Sequence, residues 1–207
     1  MTKLTQNKIL QNLYLQQSFG YKYLDSISVK RNNSNSDFMS KDAVNLCTLC
    51  DASKITNKKI YDFGDENSKI LFITTVPTFD IVSQDMFVKM VENVLQIPFE
   101  KIYLTSIIKC DIKNNTPMVE NFIPTCKGYI LNQIDNSTRK IIVTLGDSYK
   151  YLTGDTNDIG NIHGNIIKFR NTTIIPIYHP SFLLRNPSFK KEALEDLKKI
   201  KLLMEKL

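Results

Sequence analysis

A chain of 207 residues with 42% apolar and 23% charged side chains is sized and composed for one globular domain with a real core. No apolar run nears the roughly 20 residues that span a bilayer, and no signal-type apolar stretch follows the first residues, so a membrane role is excluded and a cytoplasmic protein is expected. The net charge of +6 and pI near 9.0 fit a polyanionic partner without identifying one.

In chain order, residues 4–17 read as an amphipathic helix and residues 30–40, KRNNSNSDFMS, as a polar loop. Residues 1–40 are therefore expected to be a helical and polar extension ahead of an α/β domain of residues 41–207. Four short, nearly continuous apolar runs follow, at 69–75 (KILFITT), 102–108 (IYLTSII), 140–146 (KIIVTLG) and 173–179 (TIIPIYH). Such runs, rich in β-branched residues, are how strands buried on both faces of a parallel sheet read. Helical stripes separate them. Phe87, Met90, Val91, Val94 and Leu95 share a face over residues 86–95. Thr116 and Pro117 can open a helix that buries Val119, Phe122, Ile123, Cys126 and Ile130. A last helix opens at Asn186–Pro187, with Phe189, Ala193, Leu197, Ile200 and Met204 inward. The alternation predicts a three-layer α/β/α domain around a four-stranded, mainly parallel sheet. Chemistry is then expected beyond the strand ends, at residues 74–80, 106–110, 146–148 and 179–185.

The four cysteines form one Cys-x-x-Cys pair, Cys47 and Cys50, then Cys110 after the second strand and Cys126 sixteen residues later. A reducing compartment argues against disulfides. Thiolates suit zinc and iron–sulfur clusters alike, a redox pair would usually open a helix after a strand, and free cysteines also pack as small hydrophobes. Spacing leaves these readings open.

Taken in order, the Cys-x-x-Cys pair, the apolar strand with a Pro turn at 69–77, Tyr-x-Thr-x-x-x-Lys-Cys at 103–110, Cys126, the strand ending Leu-Gly at 143–146 and His-Pro-Ser-Phe-Leu-Leu-Arg at 179–185 resemble the iron–sulfur uracil-DNA glycosylases, family 4 type. The resemblance runs from about Leu46 to the C-terminus. It implies a uracil-DNA glycosylase-like fold and a hydrolase acting on uracil-containing or damaged DNA; a monomer is expected. It also implies a [4Fe–4S] cluster on Cys47, Cys50, Cys110 and Cys126, chiefly structural in role.

Releasing uracil requires flipping the nucleotide from the stack and stabilising charge that develops on the base O2. By resemblance, His179 is the catalytic candidate for that charge. Ser181, Leu183, Leu184 and Arg185 form the DNA-binding segment, with the leucines as a wedge and Arg185 on a phosphate.

Three positions depart from the family's pattern. Its Gly-Glu-x-Pro-Gly motif is here Thr74-Thr75-Val76-Pro77-Thr78-Phe79-Asp80, which keeps only Pro77, and the following loop is shorter by about eight residues and lacks the uracil-stacking Phe in its usual place. Thr75, Pro77 and Phe79 are expected in the base pocket, with Phe79 as a replacement stacking ring and Asp80 as a replacement catalytic carboxylate. The Asn that reads the base edge is Ser106, which offers one atom where an amide offers a donor and an acceptor. His163 stands where the family often has Arg, as a basic DNA contact or a plain loop residue. Three readings follow: a glycosylase for uracil or a related damaged base, an iron–sulfur DNA-binding protein with reduced catalysis, and a fold used for protein assembly.

Overall fold

The structure, a computed structural model, describes residues 39–112 and 119–206. Thus nearly all of the N-terminal extension, and the expected helix cap at Thr116 and Pro117, lie outside the described residues.

The four apolar runs form the four central strands: β2 (Ile70–Thr74), β3 (Tyr103–Ser106), β4 (Ile141–Leu145) and β6 (Thr172–Ile177). They pair in parallel in the order β3-β2-β4-β6. Two three-residue strands extend the sheet to six. Strand β1 (Asp62–Gly64) runs antiparallel on β3, and β5 (Ile167–Phe169) antiparallel on β6. The expected sheet was four-stranded. The two edge strands are too short to show a period.

Alternation along each strand feeds two cores. Leu71, Ile73, Ile142 and Ile174 face a layer that contains Phe122, Ile130 and Ile134 of α4 (Val119–Asp135) and Tyr149 and Leu152 of α5 (Ser148–Thr153). Ile70, Phe72, Val143, Ile175 and Ile177 face the other layer. That layer contains Phe87 of α3 (Ile81–Lys89), Leu183 of α7 (Pro180–Arg185) and Ala193, Leu197 and Ile200 of α8 (Lys190–Glu205). Two short helices, α1 (Lys41–Asn45) and α2 (Ala52–Ile55), flank the Cys-x-x-Cys pair, and α6 (Ile159–Ile162) precedes β5.

Helix α3 starts five residues before the stripe that predicted it, because the Asp80 side chain caps it by accepting from Ser83 N. It ends in a wide π turn, Met90–Leu95, closed by Gln96 at φ +58°. No described helix is long and apolar enough to cross a membrane.

Candidate active site

Between β2 and β4 the strand order reverses direction, and a cavity of about 810 Å³ opens there beyond the strand ends. Thr75 lines it from the end of β2, Gly146 and Asp147 from β4, and Tyr178 and His179 from β6. Asp80 and Val82 enter from the start of α3, Glu120 and Tyr151 from the next layer, and Ser181, Leu184 and Arg185 from α7.

His179 is the N-cap of α7. Its Nδ1 accepts from Ser181 N at 3.2 Å and lies 2.7 Å from Ser181 Oγ. A backbone N–H can only donate, so Nδ1 must be unprotonated and a neutral ring carries its proton on Nε2. Burial pushes the imidazole down to about 4, with the Asp80 charge opposing and the Arg185 charge assisting. At neutral pH the ring is therefore uncharged, with Nε2–H left to serve a ligand. The ring stacks on Phe79 (5.4 Å, 27°), which in turn stacks on Phe87 (5.2 Å, 25°). Gly146 makes room for this loop: at φ +60°, a Cβ there would lie 3.0 Å from His179 Cβ.

Asp80 is exposed at the cavity rim, and its carboxylate accepts from Ser83 N (2.9 Å) and Ser83 Oγ (2.6 Å). Those bonds hold it below the usual carboxylate range, so it is ionised. Phe79 and Pro77 do not line the cavity, and Phe79 is occupied by Phe87 and His179. Ser106 is buried, and its hydroxyl donates to Ile108 O at 2.7 Å. Of the two leucines, Leu183 is fully buried in the core, whereas Leu184 is half-buried at the cavity. His163 faces away from the lining: its Nδ1 lies 2.6 Å from Asp196 Oδ2 on α8, and its ring packs on Tyr178 at 4.6 Å.

Tyr151 and Glu120 were not anticipated. Tyr151 donates to Glu120 Oε1 at 2.9 Å, closing one cavity wall. Asp147 directly follows the Leu-Gly end of β4, inside the expected stretch 146–148, although no role was assigned to it.

The four thiols lie within electrostatic reach of one another, and Cys110, Cys126 and Cys50 belong to the core layer that contains α4. Cys110 and Cys126 are buried, and Cys47 and Cys50 half-buried. Burial pushes the Cys126 thiol up to about 12, and Cys50, Cys110 and Cys47 add to the rise. Burial also raises Cys110, with Cys50 and Cys47 contributing and Lys59 opposing. Lys59 Nζ donates to Cys47 O (2.7 Å) and Asn45 O (3.2 Å), and its backbone bridges Cys110, which binds the Cys-x-x-Cys segment to the strand end. Lys109 is buried beside them, and its Nζ donates to Thr105 Oγ1 (2.6 Å), Gln133 Oε1 (2.6 Å) and Tyr61 O (3.1 Å). Among the described residues, no three His, Cys, Asp or Glu side chains are grouped as a single metal ion would need.

A parallel α/β sheet with a histidine-capped helix beyond its last parallel strand defines the class: residues 61–198 match the family model of the uracil DNA glycosylase superfamily, and the chain belongs to it. Within that superfamily it is similar to the type-4 uracil-DNA glycosylase of Saccharolobus solfataricus, 28% identical over 77% of this chain and 82% of the relative. It is also similar to those of Sulfurisphaera tokodaii (29%, 78% and 81%) and Archaeoglobus fulgidus (25%, 74% and 86%).

Proposed function

We propose that the chain hydrolyses the N-glycosidic bond of uracil, or a closely related damaged base, in DNA, and that it does so as a cytoplasmic monomer. One observation carries this reading. The Ser181 N–H fixes His179 as a neutral Nε2–H donor in the wall of a strand-end cavity. A fixed N–H donor suits a base that leaves as an anion, because its hydrogen bond strengthens as charge grows on O2. As the C1′–N1 bond breaks, the base takes the electron pair, and water forms the new bond at C1′. Asp80 orients that water and accepts its proton in this reading, supported by its ionised carboxylate at the cavity rim. Leu184 fills the space left by the flipped nucleotide, and Arg185, exposed on α7, meets a phosphate.

Four thiols suit a polynuclear cluster, and Cys47 and Cys50 lie near enough to Cys110 and Cys126 for their charges to help raise both of those thiols. We assign a [4Fe–4S] cluster to Cys47, Cys50, Cys110 and Cys126, where it would supply cross-links and no step of the hydrolysis.

A second reading, DNA binding with reduced catalysis, rests on Ser106 and Phe79, whose polar and aromatic groups are both engaged inside the protein. One experiment separates the two. Protein purified without oxygen is incubated with uracil-containing single- and double-stranded oligonucleotides, and abasic sites are cut with alkali. Cleavage is expected, with His179→Gln slower by about 10²–10³-fold. Tight binding with no cleavage would favour the second reading.

A further inference from the structure

The first turn of α3 exposes two adjacent aliphatic side chains, Ile81 at 88% and Val82 at 61%. Both are β-branched, so neither is there for helix propensity. Single exposed aliphatics are ordinary, and Ile166 and Leu202 are such cases. Ile81 and Val82 differ in place. Val82 lines the same cavity as His179, Leu184 lines it from α7, and α3 packs against α7, so Val82 and Leu184 share one rim and Ile81 stands beside it, outside the lining. Nothing intervenes between Asp80 and the bare turn.

We propose that Ile81 and Val82 are a second wedge, which packs on the base pair beside the extrahelical nucleotide in duplex DNA while Leu184 fills the vacated space. This rests on the glycosylase reading of the cavity. The chemistry fits the occupant. Flipping a nucleotide exposes the apolar face of the neighbouring pair, and stiff β-branched side chains can cover it at little loss of side-chain freedom. A base pair beside the extrahelical nucleotide exists only in a duplex, so Ile81 and Val82 set strand preference and are positioning residues.

The test compares the wild type with Ile81→Ser/Val82→Ser and with Ile81→Val/Val82→Ile, which keeps the apolar surface. Single-turnover excision is measured on matched duplex and single-stranded uracil oligonucleotides. The expected result is a drop of about tenfold in the duplex-to-single-strand rate ratio for the serine variant, with recovery in the aliphatic swap. An unaltered ratio overturns the proposal, as does an equal loss on both substrates. A duplex carrying 2-aminopurine next to the uracil supplies a readout independent of chemistry. The wild type should raise its fluorescence by unstacking, and the serine variant should not. If the wild type unstacks the reporter but excises nothing, the glycosylase reading fails and the wedge stands. If it excises and both proteins unstack alike, the wedge fails and the glycosylase reading stands.

Discussion

His179 combines two demands that usually conflict, a desolvated ring and a free polar nitrogen. The Ser181 N–H settles the tautomer and Phe79 settles the plane of the ring, so the proton sits on Nε2 without a carboxylate partner. The pH consequence has a definite sign. The ordinary imidazole value is 6.5 and the folded value about 4. Unfolded chains therefore take up a proton as pH falls through 6.5, while the folded chain resists until about 4. Above pH 6.5 the ring contributes no pH dependence. Between 6.5 and 4 the folded state loses stability, by at most about 3 kcal/mol. Urea titrations at pH 7 and 4.5 should show a steeper loss for the wild type than for His179→Gln, and parallel losses would contradict the buried neutral ring. Excision should stay flat through pH 6.5 and weaken only towards pH 4, where protonation would set Nδ1–H against the Ser181 N–H.

Among the elements, α8 reaches back to the His179 loop through one corner. The buried Asp196 holds His163 Nδ1 at 2.6 Å and Lys199 Nζ at 3.5 Å, and His163 packs on Tyr178, the residue before His179. Gly164 makes the corner possible. It sits at φ +68°, and a Cβ there would fall 1.9 Å from Asp196 Oδ1. Gly164→Ala should lower stability by about 2–4 kcal/mol, read from urea midpoints. Because part of that loss is the collision, adding Asp196→Ala should give a total smaller than the sum of the two single losses by at least about 1 kcal/mol. Simple additivity would mean that the backbone angle alone is responsible. This corner was not legible in the sequence, since its partners lie 33 residues apart and no local pattern links them. The parallel strands were legible to within two residues, because burial on both faces leaves continuous apolar runs. The start of α3 was missed for the opposite reason, as its first turn turns apolar residues outward and breaks the period. Asp80 and His179 were legible as polar residues at strand ends, but their capping roles needed backbone geometry.

For the molecule as a whole, the strand-end cavity and the thiol site divide the labour. The sheet and its two cores carry the active site, and β2 and β4 are buried along their whole length. The segment holding Cys47 and Cys50 is different. Its helices have five and four residues, too short to persist alone, and Leu46 and Leu49 are largely exposed. Its anchors among the described residues include buried Val44 and Ala52, Cys50 packed against the core, the Lys59 bonds to Cys47 O and Asn45 O, and the Lys41–Asp62 ion pair at 3.0 Å. That pair has an exposed lysine and adds little. A cluster bound by all four cysteines would hold this weakly anchored segment to Cys110 and Cys126 on the body of the domain. Loss of iron is therefore expected to act locally before it acts globally. In hydrogen exchange after anaerobic chelation, amides of residues 41–60 should lose protection by about 10²-fold or more while β2 and β4 retain theirs. Cys47→Ser should reproduce the pattern along with loss of iron and colour. Equal loss of protection in the strands would make the cluster part of the global core instead. No change in residues 41–60 would leave the thiols without a cross-linking role.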